Sequence, residues 1–373
     1  MTSNEWLEHE FRDDLQFAFG SLFSGDFSSP AHSVVSHPPP NHVFFCADLA
    51  TRTFASGESY SKTCRITQEG ISTTSELKPG KQLRNVKAFN FLHKYMDKSL
   101  SYAFNTQDAQ DISYNEYFSI KHNIPVFQYH RRKGRDAIII PLVQYHTFPG
   151  WNIPNFADEI SFRKKQSKIF WRGNLAGTTF IENRLFPINV FFKNYRNPDQ
   201  IKENLLKFPR VSVVAGLAGS DQADVGFSST PDIPEMSGKN IDEKAPWLKS
   251  LFMEKTPARE QTRYRYLLAL DGFDGPSSMY WMFRTKSLVF RHESPWEMFG
   301  DHAFLPWKTY IPVKPNREDI MEKFEWCENN LDACEQIVEQ ANLAWNSIFD
   351  SARFDARLQF IFNLYSAKLR DKI

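Results

Sequence analysis

Short apolar runs bounded by turn residues alternate along this chain with segments of helical spacing. Trp6, Leu7, Phe11, Leu15, Phe19 and Leu22 recur at helical intervals and predict a helix over 4–24. Strands are expected at 42–46 and 65–67, a helix at 86–96, and further strands at 100–104 and 125–129, with a short apolar stretch at 137–140. The rigid PGWNIP break at 149–154 leads into a charged connector over 156–168. Apolar runs then predict strands at 168–171, 211–215, 266–270, 287–290 and 310–313, with a long Gly/Ser/Asp/Pro loop over 216–239. A polar helical stretch covers 247–262, a long amphipathic helical region 318–348, and an aromatic-rich helix 352–370. This alternation predicts an α/β protein. The expected division is an N-terminal lobe over 1–155, a C-terminal lobe over 156–345, and a final helix over 346–373 that crosses back to the first lobe.

The densest piece of this pattern is 263–289. Its apolar strand stops at Asp271-Gly272-Phe273-Asp274-Gly275-Pro276, where two Gly, a Pro and two Asp force a turn. Ser277 and Ser278 are placed to cap a helix running through Phe283. A strand feeding a Gly-rich turn at a helix N-terminus aims free backbone N–H groups and a positive dipole end at an anion, here read as a diphosphate. The same residues also make an ordinary tight turn, and they do not match the dinucleotide pattern GxGxxG.

Length and charge narrow the classes. A chain of 373 residues favours two domains, and 41% hydrophobic with 24% charged residues fits an ordinary globular protein. Lys and Arg number 45 against 44 Asp and Glu, so no global field selects nucleic acid. Aromatics reach 15%, with 34 Phe, enough for both a core and faces that suit sugar rings. Cys46, Cys64, Cys327 and Cys334 show no metal-ligand spacing and are expected as reduced thiols. Cys327 and Cys334, seven apart on one expected helix, would lie about 10 Å apart along its axis, too far to bridge. The acidic amphipathic N-terminus lacks a basic n-region and an apolar h-region, and no run reaches the length of a membrane span. The expectation is a cytoplasmic protein with at most peripheral contact at the inner face of the membrane.

Several residues could carry chemistry. Arg172 ends an apolar strand before Gly173 and Asn174; its guanidinium suits phosphate oxygens, and Gly173 would admit a ligand to the backbone. An ion pair with a neighbouring carboxylate is the structural alternative for Arg172. Glu293, just past a strand, could hold a ribose hydroxyl or be a solvated loop carboxylate. Asp136 lies between the basic loop His130–Arg135 and a run of Ile ending at Pro141, which makes it the leading general-base candidate, with an element cap as the alternative. Asp108, Asp111 and Asp221 are weaker candidates, as are His146 and His292. No DxD pair, HExxH, P-loop or Ser-His-Asp ordering appears, so no metal is expected.

Taken together, these segments resemble glycosyltransferase family 90. The matching pieces are Ile169-Phe-Trp-Arg-Gly173, Tyr264-Arg-Tyr-Leu267 with Asp271-Gly272, Ser287-Leu-Val-Phe290, and Pro306-Trp307-Lys308-Thr309-Tyr310-Ile311-Pro312-Val313. The segment from Glu293 to Trp296 falls between the last two. The resemblance implies a GT-B architecture of two Rossmann-like lobes facing a cleft, with a UDP-sugar donor on the C-terminal lobe. It also implies inverting transfer of glucose or xylose to a hydroxyl of a glycan acceptor such as lipopolysaccharide or capsule. Neither a metal nor another cofactor is implied beyond the UDP-sugar co-substrate.

Residue by residue, the resemblance makes Asp136 the catalytic base. It places Arg172, Gly173, Asn174, Tyr266, Asp271, Gly272, Ser277, Ser278 and Glu293 around the donor, with Asp108, Arg135 and Trp151 on the acceptor side. One departure is Ser278, which stands where relatives carry an arginine in the helix after the Gly-rich turn. A protein that kept the fold as a non-catalytic glycan-binding module is the rival reading.

Overall fold

The computed structural model describes residues 11–23, 44–56, 64–73, 81–106, 125–142, 147–149, 153–182, 184–231 and 233–370. The chain divides into two compact units. Unit 1 comprises residues 1–151, 296–302 and 348–373, and unit 2 comprises 152–295 and 303–347.

Unit 1 opens with helix α1 (Arg12–Phe19), followed by strands β1 (Phe44–Asp48), β2 (Thr53–Ser56), β3 (Cys64–Thr67) and β4 (Gly70–Thr73). Helix α2 (Lys81–His93) precedes β5 (Ser101–Asn105), β6 (Val126–Gln128), β7 (His130–Arg132) and β8 (Ile138–Ile139). Its main sheet has the order β2-β1-β5-β6-β8. β5, β6 and β8 run parallel, while β1 is antiparallel to both of its neighbours. The sheet is therefore mixed, and only half of it follows the parallel pattern of a Rossmann-like lobe.

Unit 2 begins its regular structure at β9 (Gln166–Asn174), then a ribbon of β10 (Thr178–Ile181) and β11 (Arg184–Pro187). Helices α3 (Asn189–Asn194), α4 (Pro198–Leu205) and α5 (Pro209–Leu217) carry the chain over to β12 (Ala223–Ser229). There follow α6 (Gly238–Lys244), α7 (Ala258–Gln261), β13 (Tyr264–Ala269), α8 (Met279–Met282) and β14 (Leu288–His292). The chain returns to unit 1 for β15 (Trp296–Met298), antiparallel to β7. Unit 2 resumes with β16 (Ile311–Val313), α9 (Ile320–Asn329) and α10 (Leu331–Phe349). All five strands of its sheet, in the order β12-β9-β13-β14-β16, are parallel. The core beneath them is continuous, from Ile169 and Trp171 through Val211, Val214 and Phe227 to Tyr266, Leu268 and Phe290.

The last helix, α11 (Ser351–Arg370), belongs to unit 1. Phe362 stacks on Phe127 of β6 at 5.2 Å, and the Tyr365 hydroxyl donates to the Ser101 carbonyl at 2.8 Å. Tyr365 is wholly buried, and burial holds its hydroxyl well above the usual range.

Five expectations need correction. The helix expected over 247–262 is a 3-10 helix at Pro246–Leu251 and a single turn at Ala258–Gln261, split where Pro257 ends the intervening irregular chain. The run at 211–215 is not a strand but the middle of α5. Pro209 occupies the first helical position, where its missing N–H costs nothing, and Val211, Val213 and Val214 are buried while Ser212 stays half-exposed. The loop at 216–239 contains β12, whose Asp224 and Gly226 interrupt the apolar signal of Val225 and Phe227. The helix at 277–283 is a single turn, Met279–Met282, and Ser278 gives it no side-chain cap. The region 318–348 is two helices broken at Asn330, so Cys327 and Cys334 lie on consecutive helices, with the Cys334 thiol 3.7 Å from the Cys327 carbonyl. All four cysteines are buried and unbridged. Of the helix expected over 4–24, residues 1–10 lie outside the described residues.

Candidate active site

In an open parallel sheet the carboxyl ends of the strands face outward together, and ligands of such folds lie there. In unit 2 this edge brings together Asn174 at the end of β9, Asp271 and Gly272 just past β13, and His292 at the end of β14. Arg210, in the first turn of α5, reaches across them. Its Nη1 donates to the Asn174 side chain and, at 3.2 Å, to the Asn174 carbonyl. Its Nη2 donates to the Leu270 carbonyl at 3.2 Å. Burial lowers Arg210 to about 10, and the nearby Asp271 and Asp274 carboxylates oppose that shift. A Cβ at Gly272 would lie 2.8 Å from Arg210 Nη2, so a side chain there would displace the guanidinium. The turn also ties back to β10: the Thr178 N–H donates to the Gly272 carbonyl at 3.1 Å.

Asp271 is the buried centre of the edge. Oδ2 accepts from Ser294 Oγ at 2.6 Å and faces His292 Nε2 at 3.0 Å. Oδ1 is buried and takes no hydrogen bond, and neither does His292 Nδ1. A buried acceptor left without a donor costs on the order of 1–3 kcal/mol.

The donor-side candidates separate in the structure. Asn174, Asp271 and Gly272 share this edge through Arg210. Arg172 does not: its side chain pairs with Asp224 and donates to the carbonyls of Trp171 and Asp224 at 2.9 Å each. Tyr264 donates to the other Asp224 oxygen and stacks on Phe170 at 4.3 Å. Burial alone would raise Asp224, but Tyr264 and Arg172 outweigh it and hold the carboxyl low. The structural alternative for Arg172 is thus the arrangement observed. Gly173 makes room for Trp171, whose ring a Cβ would approach to 2.5 Å. Tyr266 sits in the core, its ring 5.3 Å from Phe324, and its hydroxyl donates to Glu328. Ser277 and Ser278 are half-buried before the one-turn helix α8, too short for a strong dipole, and Glu293 is exposed.

In unit 1, Asp136 and Arg135 are exposed on the turn joining β7 to β8, and Gly134 adopts φ 75° within it. Buried Arg131 secures that turn. It donates to the Ala137 carbonyl at 3.0 Å, to Phe17 and Ala18 carbonyls at 2.6 and 3.0 Å, and to Glu297 at 2.7 Å. Asp108 and Trp151 lie outside the described residues. Among the described residues no helix is long and apolar enough to cross a membrane, and no cluster of three metal-ligating side chains occurs.

Arg210 is the residue of this candidate site that the sequence reading passed over. Its signal was the Phe208-Pro209-Arg210 start of a helix, which the valine run beside it masked.

Comparison with known proteins agrees with the family resemblance. The model of glycosyl transferase family 90 matches residues 88–349, more than half of the chain. This chain belongs to glycosyl transferase family 90. Among curated proteins it is similar to Uncharacterized protein 179R of Invertebrate iridescent virus 6, 29% identical over 109 residues, or 27% of this chain and 9% of that protein. It is also 26% identical over 110 residues to Protein O-glucosyltransferase 3 of Mus musculus, 30% of this chain and 22% of that protein. The match thus spans less than a quarter of either relative. The solved structure of TarM covers 67% of this chain at 10% identity, with 53% of that chain aligned and a TM-score of 0.34. The family's matched range contains every candidate site residue described above, Asp136 and the unit 2 edge included.

Proposed function

We propose that this protein is an inverting glycosyltransferase of GT-B type that moves glucose or xylose from a UDP-sugar to a hydroxyl of a glycan acceptor. The observation that carries this reading is the edge built by Asn174, Arg210, Asp271 and Gly272 at the carboxyl ends of a parallel sheet, in a chain of this family. Arg210, rather than Arg172, is the cation available beside the donor diphosphate, and it substitutes for the helix dipole that the one-turn α8 cannot supply. Asp136 serves as base. The acceptor hydroxyl gives its proton to the carboxylate, its oxygen bonds to the anomeric carbon, and the bond from that carbon to the diphosphate oxygen breaks, with UDP taking the electron pair. Charge developing on UDP is stabilised by Arg210 and by backbone N–H groups of the turn. No metal takes part in this reading, and Asp108, Arg135 and Trp151 remain its acceptor-side residues. The name of the mouse relative favours glucose as the sugar and a protein hydroxyl as a competing acceptor.

The test is UDP release with UDP-glucose and UDP-xylose, each with and without EDTA, on the wild type and on Asp136→Asn. Turnover that persists in EDTA and falls in the variant supports the reading. Retained turnover in Asp136→Asn removes that residue from the base role. A non-catalytic glycan-binding module would give no heat with UDP in calorimetry.

A further inference from the structure

Asp271 and His292 stand at the ends of neighbouring strands. Ala269 of β13 pairs in register with Arg291 of β14, so His292 lies beside Leu270 and one residue short of Asp271. Both side chains are buried, Asp271 at 6% exposure and His292 at 2%. Asp271 Oδ2 accepts from Ser294 Oγ and faces His292 Nε2 at 3.0 Å. A carboxylate only accepts, so this contact assigns the imidazole hydrogen to Nε2 and leaves a lone pair on Nδ1. Asp271 Oδ1 is an acceptor as well, and neither Oδ1 nor Nδ1 takes a hydrogen bond. Among the described residues of unit 2, no other carboxylate or imidazole has a buried atom without a hydrogen bond. Both such atoms therefore belong to one hydrogen-bonded pair, at the edge where ligands of parallel sheets lie.

The chemistry of these two atoms decides what they can hold. Phosphate oxygens are acceptors too, and a carboxylate oxygen repels them, whereas a hydroxyl can give its hydrogen to either atom. Arg210 crosses the same edge with the opposite character, a guanidinium that donates to Asn174 and Leu270. The edge thus has a cationic part and an accepting part. The accepting part is held firmly, since Ser294 and the Nε2 contact fix both the carboxylate and the ring. Neither free acceptor meets solvent, so the chain following β13 and β14 must part to admit a hydroxyl.

We infer that Asp271 Oδ1 and His292 Nδ1 accept hydroxyl hydrogens of the nucleotide-sugar donor, from its ribose or from the transferred sugar, and that His292 is thereby a residue that selects the donor. The inference rests on the donor reading above. It is tested by calorimetry on the full chain, comparing UDP with its 2′-deoxy and 3′-deoxy analogues, and UDP-glucose with UDP-glucoses that lack one glucose hydroxyl. In the wild type at least one deletion is expected to weaken binding ~10-fold or more, because it strands a buried acceptor. A costly ribose deletion names the ribose as the source, and a costly glucose deletion names the transferred sugar. In His292→Gln, whose amide still donates to Asp271, the parent ligand and that deletion analogue should bind equally. His292→Phe, an apolar ring of similar shape, repeats the comparison, with Tm read on both variants. A merely structural role would weaken both ligands alike and leave their ratio as it is in the wild type. No costly deletion in the wild type, or an unchanged ratio in the variants, overturns the inference and leaves the donor reading standing. A wild type that binds neither UDP nor UDP-glucose sinks the donor reading and this inference with it.

Discussion

The two edges of the unit 2 sheet are built from the same strands and differ in which of their polar groups stay unpaired. At the amino edge of β13, Arg265 pairs with Glu328 at 2.8 Å and donates to the Arg163 and Lys165 carbonyls at 3.0 and 3.3 Å. Tyr266 donates to the same Glu328, and Lys165 pairs with Asp158 at 2.7 Å with both side chains almost fully buried. At the carboxyl edge Asp271 is held on one oxygen alone, His292 Nδ1 has no partner, and Arg210 is lowered by burial. Arg265 Nε at the first edge is buried without a partner as well, so what sets the second apart is an unpaired carboxylate oxygen beside an unpaired imidazole nitrogen. Charged residues on a sheet are therefore sorted better by what remains unpaired around them than by their charge.

That contrast can be broken by substitution. The largest effect is expected away from both edges, at Asp136→Asn, which should lower turnover by roughly 10²–10⁴-fold in UDP-release assays while leaving UDP binding intact. At the amino edge, Asp158→Ala strands the Lys165 ammonium in the interior and should cost about 3–5 kcal/mol in denaturant unfolding. At the carboxyl edge, Arg210→Ala should weaken UDP by ~10-fold or more in calorimetry, the loss of a hydrogen bond to a charged group. Tyr266→Phe removes one hydrogen bond to Glu328 and should cost ~1 kcal/mol of stability with UDP affinity unchanged. A loss of UDP affinity there would undo the separation of the two edges.

The smallest expected effect is a pH dependence. Burial alone would raise Glu328, but Ser167, Tyr266 and Arg265 together hold its carboxyl below 4.5. A depressed folded value means that the stability it contributes is present above 4.5 and is lost as pH falls through the lower folded value. The Tm difference between wild type and Glu328→Gln should therefore shrink as pH drops below 4.5.

Much of unit 2 was legible in the sequence because its signals are local. The apolar run of β13 ends at Asp271-Gly272, a break that only a turn accommodates, and β14 follows at the expected place. Where the signal depended on surroundings it misled. A valine-rich run reads as strand by propensity, yet 211–215 is helical, with Val211, Val213, Val214 and Leu217 of α5 packed into the core of unit 2. That one misreading hid Arg210. Arg172 shows the complementary case: its position at a strand end was legible, but its partner Asp224 lies 52 residues on, in a strand the sequence did not announce.

Unit 1 is assembled from three stretches of chain, and α11 supplies Phe362 and Tyr365 against β5 and β6. During synthesis the partners of those aromatics are made some 250 residues before them, as the separation of 264 between Ser101 and Tyr365 shows. Until 351–370 leave the ribosome, that face of the sheet stays uncovered, and contacts this distant in sequence close slowly. From the synthesis of β6 to that of 351–370 the nascent chain therefore carries an exposed apolar surface, and this unit is the one that loss of the final helix would leave uncovered.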